Sequence, residues 1–211
     1  MAQIVLIDYG ASNLLSVRRA FQHIGIEPLI AAHPEQARGA SHMVLPGVGA
    51  FGKAAAALRA AGLDSAISEH VRTGLPFLGI CLGMQLMLEE SEEFGRHRGL
   101  GLLRGRVQSL PRTGCDDRLH KIPHIGWSAL KPSRPEGWKG TILDGLQGVA
   151  MYFVHSFVAE PVDPADRLAD VEFGSQSICA AVKRDNMVGF QSHPEKSGSS
   201  GLEILRKFVT S

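Results

Sequence analysis

The sequence has few cysteines, no long apolar run and no excess of charge of either sign. Its three cysteines, Cys81, Cys115 and Cys179, cannot all pair and lack the spacing of a metal site. This argues against a disulfide framework and for a reducing compartment. Lys and Arg total 22 against 21 Asp and Glu, which gives a formal net charge of +1. A nearly neutral chain argues against nucleic acid or an anionic membrane surface as the partner.

Targeting and membrane signals are also missing. The first residues lack the basic start and apolar stretch of a signal peptide. No run approaches the roughly 18 apolar residues that a membrane-spanning helix needs. We therefore expect a cytoplasmic protein without membrane contact. The composition, 44% hydrophobic and 20% charged over 211 residues, is typical of one globular domain covering residues 1–211.

Short apolar runs alternate with helical patterns through the first part of the chain. We predict strands at 4–7, 28–31, 43–45 and 77–80, and helices at 14–24, 54–61, 63–72 and 82–89. Ser12 or Asn13 is the expected cap of the first helix. This alternation predicts an α/β fold, with an open, mostly parallel, twisted sheet and helices on both faces.

The second half of the chain predicts a different arrangement. Strand patterns separated by turn-forming residues occur at 106–110, 151–157, 168–173, 178–182 and 187–191, and a helix is expected at 202–209. These strands predict an additional antiparallel region within the same domain.

The segment around Cys81 carries the clearest chemical signal. Gly79 and Gly83 flank Cys81 symmetrically between an apolar strand and an apolar helix, which is the pattern of a nucleophile elbow with Cys in place of Ser. Such a turn places the sulfur at the carboxyl edge of the sheet and at a helix N-terminus, where a thiolate is favoured. Gln85 lies on the same helical face as Cys81. We expect a sparsely populated backbone conformation at Cys81.

A nucleophilic cysteine needs a histidine, and one of the nine stands out. In the phrase that runs from His193 to Glu195, extended backbone would direct both side chains to one side, and Pro194 would stiffen the pair. Glu195 could then orient the imidazole and offset its charge. His120 and His124 are four residues apart, but Pro123 argues against a helical metal pair, and we predict no metal site and no cofactor.

These two motifs together resemble the class I, or triad, glutamine amidotransferases, whose signatures are Gly-x-Cys-x-Gly-x-Gln and a late His-Pro-Glu. The resemblance spans nearly the whole chain. It implies that Cys81 attacks the side-chain amide of glutamine, that His193 transfers protons, and that Glu195 orients His193.

A glycine-rich loop at 47–52 admits several interpretations. Its Gly-x-Gly-x-x-Gly pattern is that of a dinucleotide site, but no acidic residue ends a following strand as that site requires. A plain structural turn is a second possibility. The third is an oxyanion loop, whose flexible glycines aim backbone N–H groups at the tetrahedral intermediate. The resemblance favours the third and implies donors in the region of Gly47, Val48 and Gly49 and at Leu82.

Further phrases resemble the glutaminase subunits of imidazole glycerol phosphate synthases. They include the glycine-rich loop and the stretches at 8–14, 81–93, 123–127, 152–157 and 193–198. The resemblance implies a heterodimer with a (β/α)₈-barrel cyclase, which uses the ammonia to form imidazole glycerol phosphate and an aminoimidazole carboxamide ribotide in histidine biosynthesis. It places Asn13 and Lys196 at the partner interface. It assigns the binding of glutamine to Gln85, Tyr152, His155 and Ser156.

Other functions stay open on the sequence alone. The chain could serve a different synthase, such as anthranilate synthase, or act as a non-catalytic scaffold that binds glutamine. Cysteine hydrolases with a similar elbow are a further alternative, although they lack the late His-Pro-Glu phrase. Two residues depart from the usual pattern: Ser192 stands where an aromatic residue is common, and Ser128 stands where Asn is common.

Overall fold

The strands of the protein span both halves of the chain. The computed structural model describes residues 3–10, 13–113 and 119–211, and Cys115 lies outside these ranges. In chain order the strands are β1 (Ile4–Ile7), β2 (Leu29–Ala31), β3 (His42–Gly47), β4 (Phe77–Cys81), β5 (Leu88–Ser91), β6 (His97–Arg98), β7 (Leu103–Ser109), β8 (His124–Ala129), β9 (Lys131–Pro132), β10 (Ala150–His155), β11 (Phe157–Pro161), β12 (Arg167–Phe173), β13 (Gln176–Arg184) and β14 (Met187–Phe190).

Helices alternate with the first strands and close the chain. They are α1 (Leu14–His23), α2 (Pro34–Ala37), α3 (Phe51–Ala60), α4 (Leu63–Arg72), α5 (Leu82–Leu86) and α6 (Gly198–Val209). Short 3₁₀ turns lie at Pro164–Asp166 and Pro194–Lys196. None of the helices within the described ranges is long and apolar enough to cross a membrane.

The main sheet joins strands from both ends of the chain. Its order is β2-β1-β3-β4-β14-β13-β12-β9, parallel from β2 to β14 and antiparallel from β14 to β9. The strands β1, β3, β4 and β14 are buried along their whole length, as expected of parallel strands covered on both faces. This confirms the predicted α/β fold, a mostly parallel sheet flanked by helices with an additional antiparallel region.

The strand order brings three chain segments together at one edge of the sheet. Gly47 of β3 pairs with Cys81 of β4, and Phe190 of β14 pairs with Ile80 of β4. All three strands are parallel, so their carboxyl ends meet there. The glycine-rich loop, the cysteine turn and the segment after Phe190 therefore begin side by side, although they are far apart in sequence.

The remaining strands lie beside this edge. β11, β7, β5 and β6 form a smaller sheet, and β10 pairs with β8 as an antiparallel ribbon. β10 contacts the turn at Pro194–Lys196, and β11 contacts α5 and β13. These elements form the surroundings of the edge where the three segments meet.

Several local predictions were wrong. The helix after Cys81 ends at Leu86 rather than near residue 89, because 88–91 pairs as β5 with β7 and β6. The strand predicted at 151–157 is broken at Ser156 into β10 and β11, which pair with different partners. The strand at His124–Ala129 was not predicted, since Pro123 and Gly126 interrupt its apolar pattern.

The cap of α1 was predicted at the correct position, but it differs in its side-chain contact. Asn13 occupies the N-cap position, but its side chain makes no capping hydrogen bond. Its amide instead donates to Oε1 of Glu195 at 3.4 Å. Ser12, the other predicted cap, lies outside the described ranges. The side chain of Asn13 thus contacts a predicted site residue rather than the helix.

Candidate active site

The turn at Cys81 has the strained backbone that its glycines predict. Cys81 ends β4 and precedes α5 with φ 53° and ψ −110°, a region that residues other than glycine rarely occupy. A Cβ at Gly83 would overlap the carbonyl of Leu45 in β3, and a Cβ at Gly79 would lie 2.8 Å from the backbone nitrogen of Met84. The predicted sparse conformation is confirmed, and the close approach of backbone explains both glycines.

His193 and Glu195 meet, although not in the way that the sequence predicted. Nδ1 of His193 lies 2.8 Å from Oε1 of Glu195, and their side chains are 2% and 1% exposed. The segment is not extended throughout, because Pro194–Lys196 forms a 3₁₀ turn. Ser197 closes this turn by donating from Oγ to the carbonyl of His193 at 2.6 Å. The turn, rather than strand alternation, directs the carboxylate back to the imidazole.

Opposing effects set the charge of the imidazole. Burial lowers the pKa of His193, but the nearby Cys81 and the hydrogen-bonded Glu195 raise it, and the net result is a pKa of about 9. A carboxylate only accepts hydrogen bonds, so Nδ1 is the donor to Glu195. Near neutral pH the ring is therefore an imidazolium, with Nε2 also protonated. This is the charge state that complements a thiolate at Cys81.

The glycine-rich loop lies against the cysteine turn. Gly47 is the register partner of Cys81, and a Cβ at Gly47 would lie 2.9 Å from that of Leu82, the first residue of α5. Gly49 has φ 97°, which favours glycine, and the adjacent Val48 is partly exposed. The loop thus lies directly against the turn at Cys81, too close for a side chain at Gly47.

A buried carboxylate occupies the N-terminus of α3, where a dinucleotide site would hold its phosphate. Glu93 is 8% exposed, and its Oε2 accepts a hydrogen bond from the backbone N–H of Phe51, the first residue of α3. Negative charge at this position is favoured by the helix dipole. A phosphate would have to displace this carboxylate, so the structure speaks against the dinucleotide interpretation.

A pocket of about 460 Å³ opens at this edge of the sheet. It is lined by Val48, Gly49, Cys81, Leu82, Gln85, Glu93, Phe94, Pro123, Val154, His155, Ser156, Phe157, His193 and Lys196. A larger cavity of about 750 Å³ lies at the amino ends of β4 and β14 and contains none of the predicted site residues. Among the described residues no group of three or more His, Cys, Asp or Glu side chains could hold a metal ion.

His155 lies in one wall of the pocket and is hydrogen-bonded to His124 behind it. Nδ1 of His155 lies 2.8 Å from the carbonyl of Phe157, and Nε2 lies 3.1 Å from Nδ1 of His124. His124 in turn lies 3.0 Å from Oγ of Ser128, one of the two departures from the usual pattern. Burial lowers the pKa of His155, the bond to Phe157 opposes this, and the charges of His124 and His193 add to the lowering, so that the net pKa is about 4. The ring is therefore neutral at physiological pH.

Comparison with known proteins identifies the family. The model of the class-I glutamine amidotransferases matches residues 5–211. Imidazole glycerol phosphate synthase subunit HisH 1 of Legionella pneumophila (strain Lens) is 48% identical over 211 residues, 99% of each chain. The HisH subunits of Syntrophotalea carbinolica and Geobacillus thermodenitrificans are 44% and 43% identical, covering 97% and 99% of this chain and 98% and 96% of theirs. The chain belongs to the class-I glutamine amidotransferases, in the HisH subunit family.

Solved structures agree with this membership at the level of the fold. The structure of PurLQS from Thermotoga maritima matches with a TM-score of 0.76 at 17% identity, over 99% of this chain and 98% of that one. A crystal structure described as a glutamine amidotransferase matches with a TM-score of 0.73 at 18% identity, over 98% and 97% of the two chains.

The residues expected from the amidotransferase resemblance do not all lie in the pocket. Gln85, His155, Ser156 and Lys196 line it. Tyr152 does not: its carbonyl accepts from the backbone N–H of His193 at 2.9 Å, so this residue supports the histidine rather than the pocket wall.

Asn13 also lies outside the pocket lining; its side-chain amide bonds Glu195, which in turn bonds the lining residue His193. Glu93 and Phe157 line the pocket but were not predicted as site residues. Gln191, whose Nε2 lies 3.6 Å from the sulfur of Cys81, was not predicted either. Glu93 stands within a phrase that resembles HisH subunits, which was the available signal for it.

Proposed function

We propose that this chain hydrolyses glutamine to glutamate and ammonia as the glutaminase subunit of an imidazole glycerol phosphate synthase. The observation that carries the proposal is the convergence of Cys81 with the His193–Glu195 pair on one pocket at the carboxyl edge of the sheet. The nucleophile, base and orienting carboxylate of an acyl-transfer site are all present within that arrangement.

The proposed reaction passes through a thioester. The thiolate of Cys81 forms a bond to the side-chain carbonyl carbon of glutamine, and the carbonyl oxygen becomes an oxyanion that meets backbone N–H groups of the glycine-rich loop and Leu82. Nε2–H of the His193 imidazolium gives its proton to the departing nitrogen, the C–N bond breaks, and ammonia leaves. Water, deprotonated by His193, then attacks the thioester, which releases glutamate and restores the thiolate and the imidazolium.

The pocket offers complementary groups for an amino acid. A glutamine substrate carries an α-ammonium group, and Glu93 supplies a buried carboxylate to the pocket. Both N–H bonds of the Gln85 side chain are used, to the carbonyl of Phe157 at 3.1 Å and to Oε1 of Gln191 at 2.9 Å. Only the oxygen of Gln85 is left for the ligand, so we assign Gln85 as an acceptor for a substrate N–H.

The ribbon of β8 and β10 supports docking of a cyclase subunit beside the pocket. Its outer face presents Ile125, Trp127 and Val154 at 59%, 58% and 36% exposure, and Phe94 at the pocket is 89% exposed. Large apolar side chains clustered on a surface mark protein interfaces. A partner is required chemically, because ammonia released into water near neutral pH is mostly protonated and is no longer nucleophilic. We assign a (β/α)₈-barrel cyclase to this face, with Asn13 and Lys196 near the contact.

The test is glutaminase activity with and without the cyclase partner and its ribotide ligand. We expect weak glutamate release by the full chain alone, a large rise with the cyclase, and no rise with the partner subunit of anthranilate synthase. Cys81→Ala should abolish the activity, and Trp127→Asp should weaken the response to the cyclase while leaving the basal rate unchanged. Equal rates with and without the cyclase would contradict the coupling. Hydrolysis retained by Cys81→Ala would point to a scaffold or another nucleophile.

A further inference from the structure

A second glutamine side chain reaches the nucleophile from behind the pocket. Gln191 follows β14 directly, and because Phe190 pairs with Ile80, it is the neighbour of Cys81 at the carboxyl edge. Its side chain is completely buried. Nε2 of Gln191 lies 3.6 Å from the sulfur of Cys81, within the range for a hydrogen bond to sulfur. Gln191 does not line the pocket, so its contact with the sulfur leaves the substrate side free.

The orientation of this amide is fixed by its neighbours. The carbonyl of Phe157 is an acceptor only, so the atom of Gln85 that faces it at 3.1 Å must be the NH₂ group. The same NH₂ group lies 2.9 Å from the Gln191 side chain, whose facing atom must therefore be the oxygen Oε1. The remaining end of Gln191, its NH₂ group, is then directed at Cys81. An inverted amide would place two donors against each other at the Gln85 contact.

We propose that Gln191 is a further catalytic residue for glutamine hydrolysis, donating from its side-chain N–H to the sulfur of Cys81. The proposal rests on Cys81 being the nucleophile of the proposed function. The NH₂ group of Gln191 donates hydrogen bonds but cannot accept one. It therefore stabilises the thiolate of Cys81 over the thiol, because a thiolate accepts hydrogen bonds far better than a thiol does. It also holds the sulfur from the side opposite the pocket. Gln85 has a double role in this arrangement, since it orients Gln191 while its oxygen faces the ligand.

The alternative is that the two glutamines only satisfy one another as buried polar groups. That role predicts a loss of stability when Gln191 is changed, but no change in the acidity of Cys81. The pH dependence of Cys81 reactivity separates the two, because alkylation of a cysteine follows its thiolate fraction.

The experiment is alkylation by iodoacetamide across a pH series, with modification of the Cys81 peptide followed by mass spectrometry. The variants are Gln191→Met, which keeps the length and removes the donor, and Gln191→Glu, which keeps the shape and reverses the polarity. We expect the alkylation midpoint of both to rise by about one pH unit, which is about a tenfold loss of thiolate below the midpoint. Gln176→Met is the matched control, because the amide of Gln176 bonds the backbone of Thr113 outside the pocket.

Failure of this inference can be distinguished from failure of the proposed function. A midpoint unchanged in Gln191→Met and Gln191→Glu, in variants that unfold cooperatively like the original chain, overturns the role of Gln191. Should neither variant fold, Gln85→Met decides: it removes the group that orients Gln191 and should raise the midpoint, and an unchanged midpoint refutes the proposal. Loss of hydrolysis in Cys81→Ala together with an unchanged midpoint removes this inference alone, whereas hydrolysis retained in Cys81→Ala removes the proposed function itself.

Discussion

Removing the charge of Glu195 should return the His193 imidazole toward an ordinary acidity. The pKa of about 9 at His193 results from burial, which lowers it, and from Cys81 and Glu195, which raise it. An opposite charge at hydrogen-bond distance raises a histidine pKa by about 1–3 units. The carboxylate is 1% exposed and lies 2.8 Å from the ring, so solvent screens it little. In Glu195→Gln we therefore expect the pKa of His193 to fall to about 7.

The consequence for activity depends on pH. At pH 8 a pKa of about 9 keeps about nine-tenths of His193 protonated, whereas a pKa of about 7 keeps about one-tenth. The protonated ring is the proposed donor to the departing nitrogen, so kcat/KM of Glu195→Gln should be about tenfold lower at pH 8 through this effect. At pH 6 both forms are mostly protonated, and the deficit due to ionisation should nearly vanish. The alkaline limb of the pH profile should move to lower pH.

Two measurements check this reasoning. The His193 ring can be titrated by NMR in the full chain, and kcat/KM for glutamine can be followed from pH 6 to 9.5 in the complex with the cyclase. Glu203→Gln is a suitable control, because the side chain of Glu203 is 42% exposed and pairs with Arg206 on α6, away from the pocket. A His193 midpoint that stays near 9 in Glu195→Gln would refute the electrostatic account. A deficit of the same size at every pH would show that Glu195 acts through orientation alone.

Two further predictions concern stability. The pKa of His155 is about 4 in the folded chain and about 6.5 in the unfolded chain. The neutral ring therefore stabilises the fold above pH 6.5, and this contribution is lost as the pH falls through 4. The free energy of unfolding should decrease by about 3 kcal/mol in all through this effect. Denaturant unfolding should therefore show a smaller loss of stability between pH 7 and pH 4 in His155→Gln than in the original chain, and equal losses would exclude His155 as the source. Gly83→Ala should lower the free energy of unfolding by more than about 3 kcal/mol, because the added Cβ would lie 2.8 Å from the carbonyl carbon of Leu45. Gly74→Ala, where φ is positive but the space is open, should cost only about 1–2 kcal/mol, and a loss no larger than this in Gly83→Ala would show that β3 moves away from the added Cβ.

Sequence patterns predicted the elements whose formation depends on residues close together in the chain. The strand before Cys81, the turn and the start of α5 follow from apolar runs and glycines within a few residues, and they were predicted correctly. The end of α5 was not, because Leu88 continues the apolar pattern and only long-range pairing with Leu103 shows that it belongs to a strand. Strand order is likewise a long-range property, and no local signal places β14 beside β4.

The candidate site shows the same division. Motifs identified Cys81, His193 and Glu195, but the reason given for the last pair was wrong, since a 3₁₀ turn and not extended backbone joins them. The side chains of Gln191 and Glu93 contact residues far away in sequence, Cys81 and Phe51. No spacing in the sequence reveals these two contacts, so the folded structure is needed to show them.

The ribbon of β8 and β10 has two different faces a single strand thickness apart. His124 and His155, which point inward, are buried, while Ile125 and Trp127 on the same strand as His124 face outward. Side chains alternate along a strand, so a displacement of the outer residues moves the inner residues directly, with no other element between them. A subunit seated on Trp127 would therefore act directly on the pocket wall that contains His155, and the proposed response of glutamine hydrolysis to the cyclase would need no signal relayed through the core.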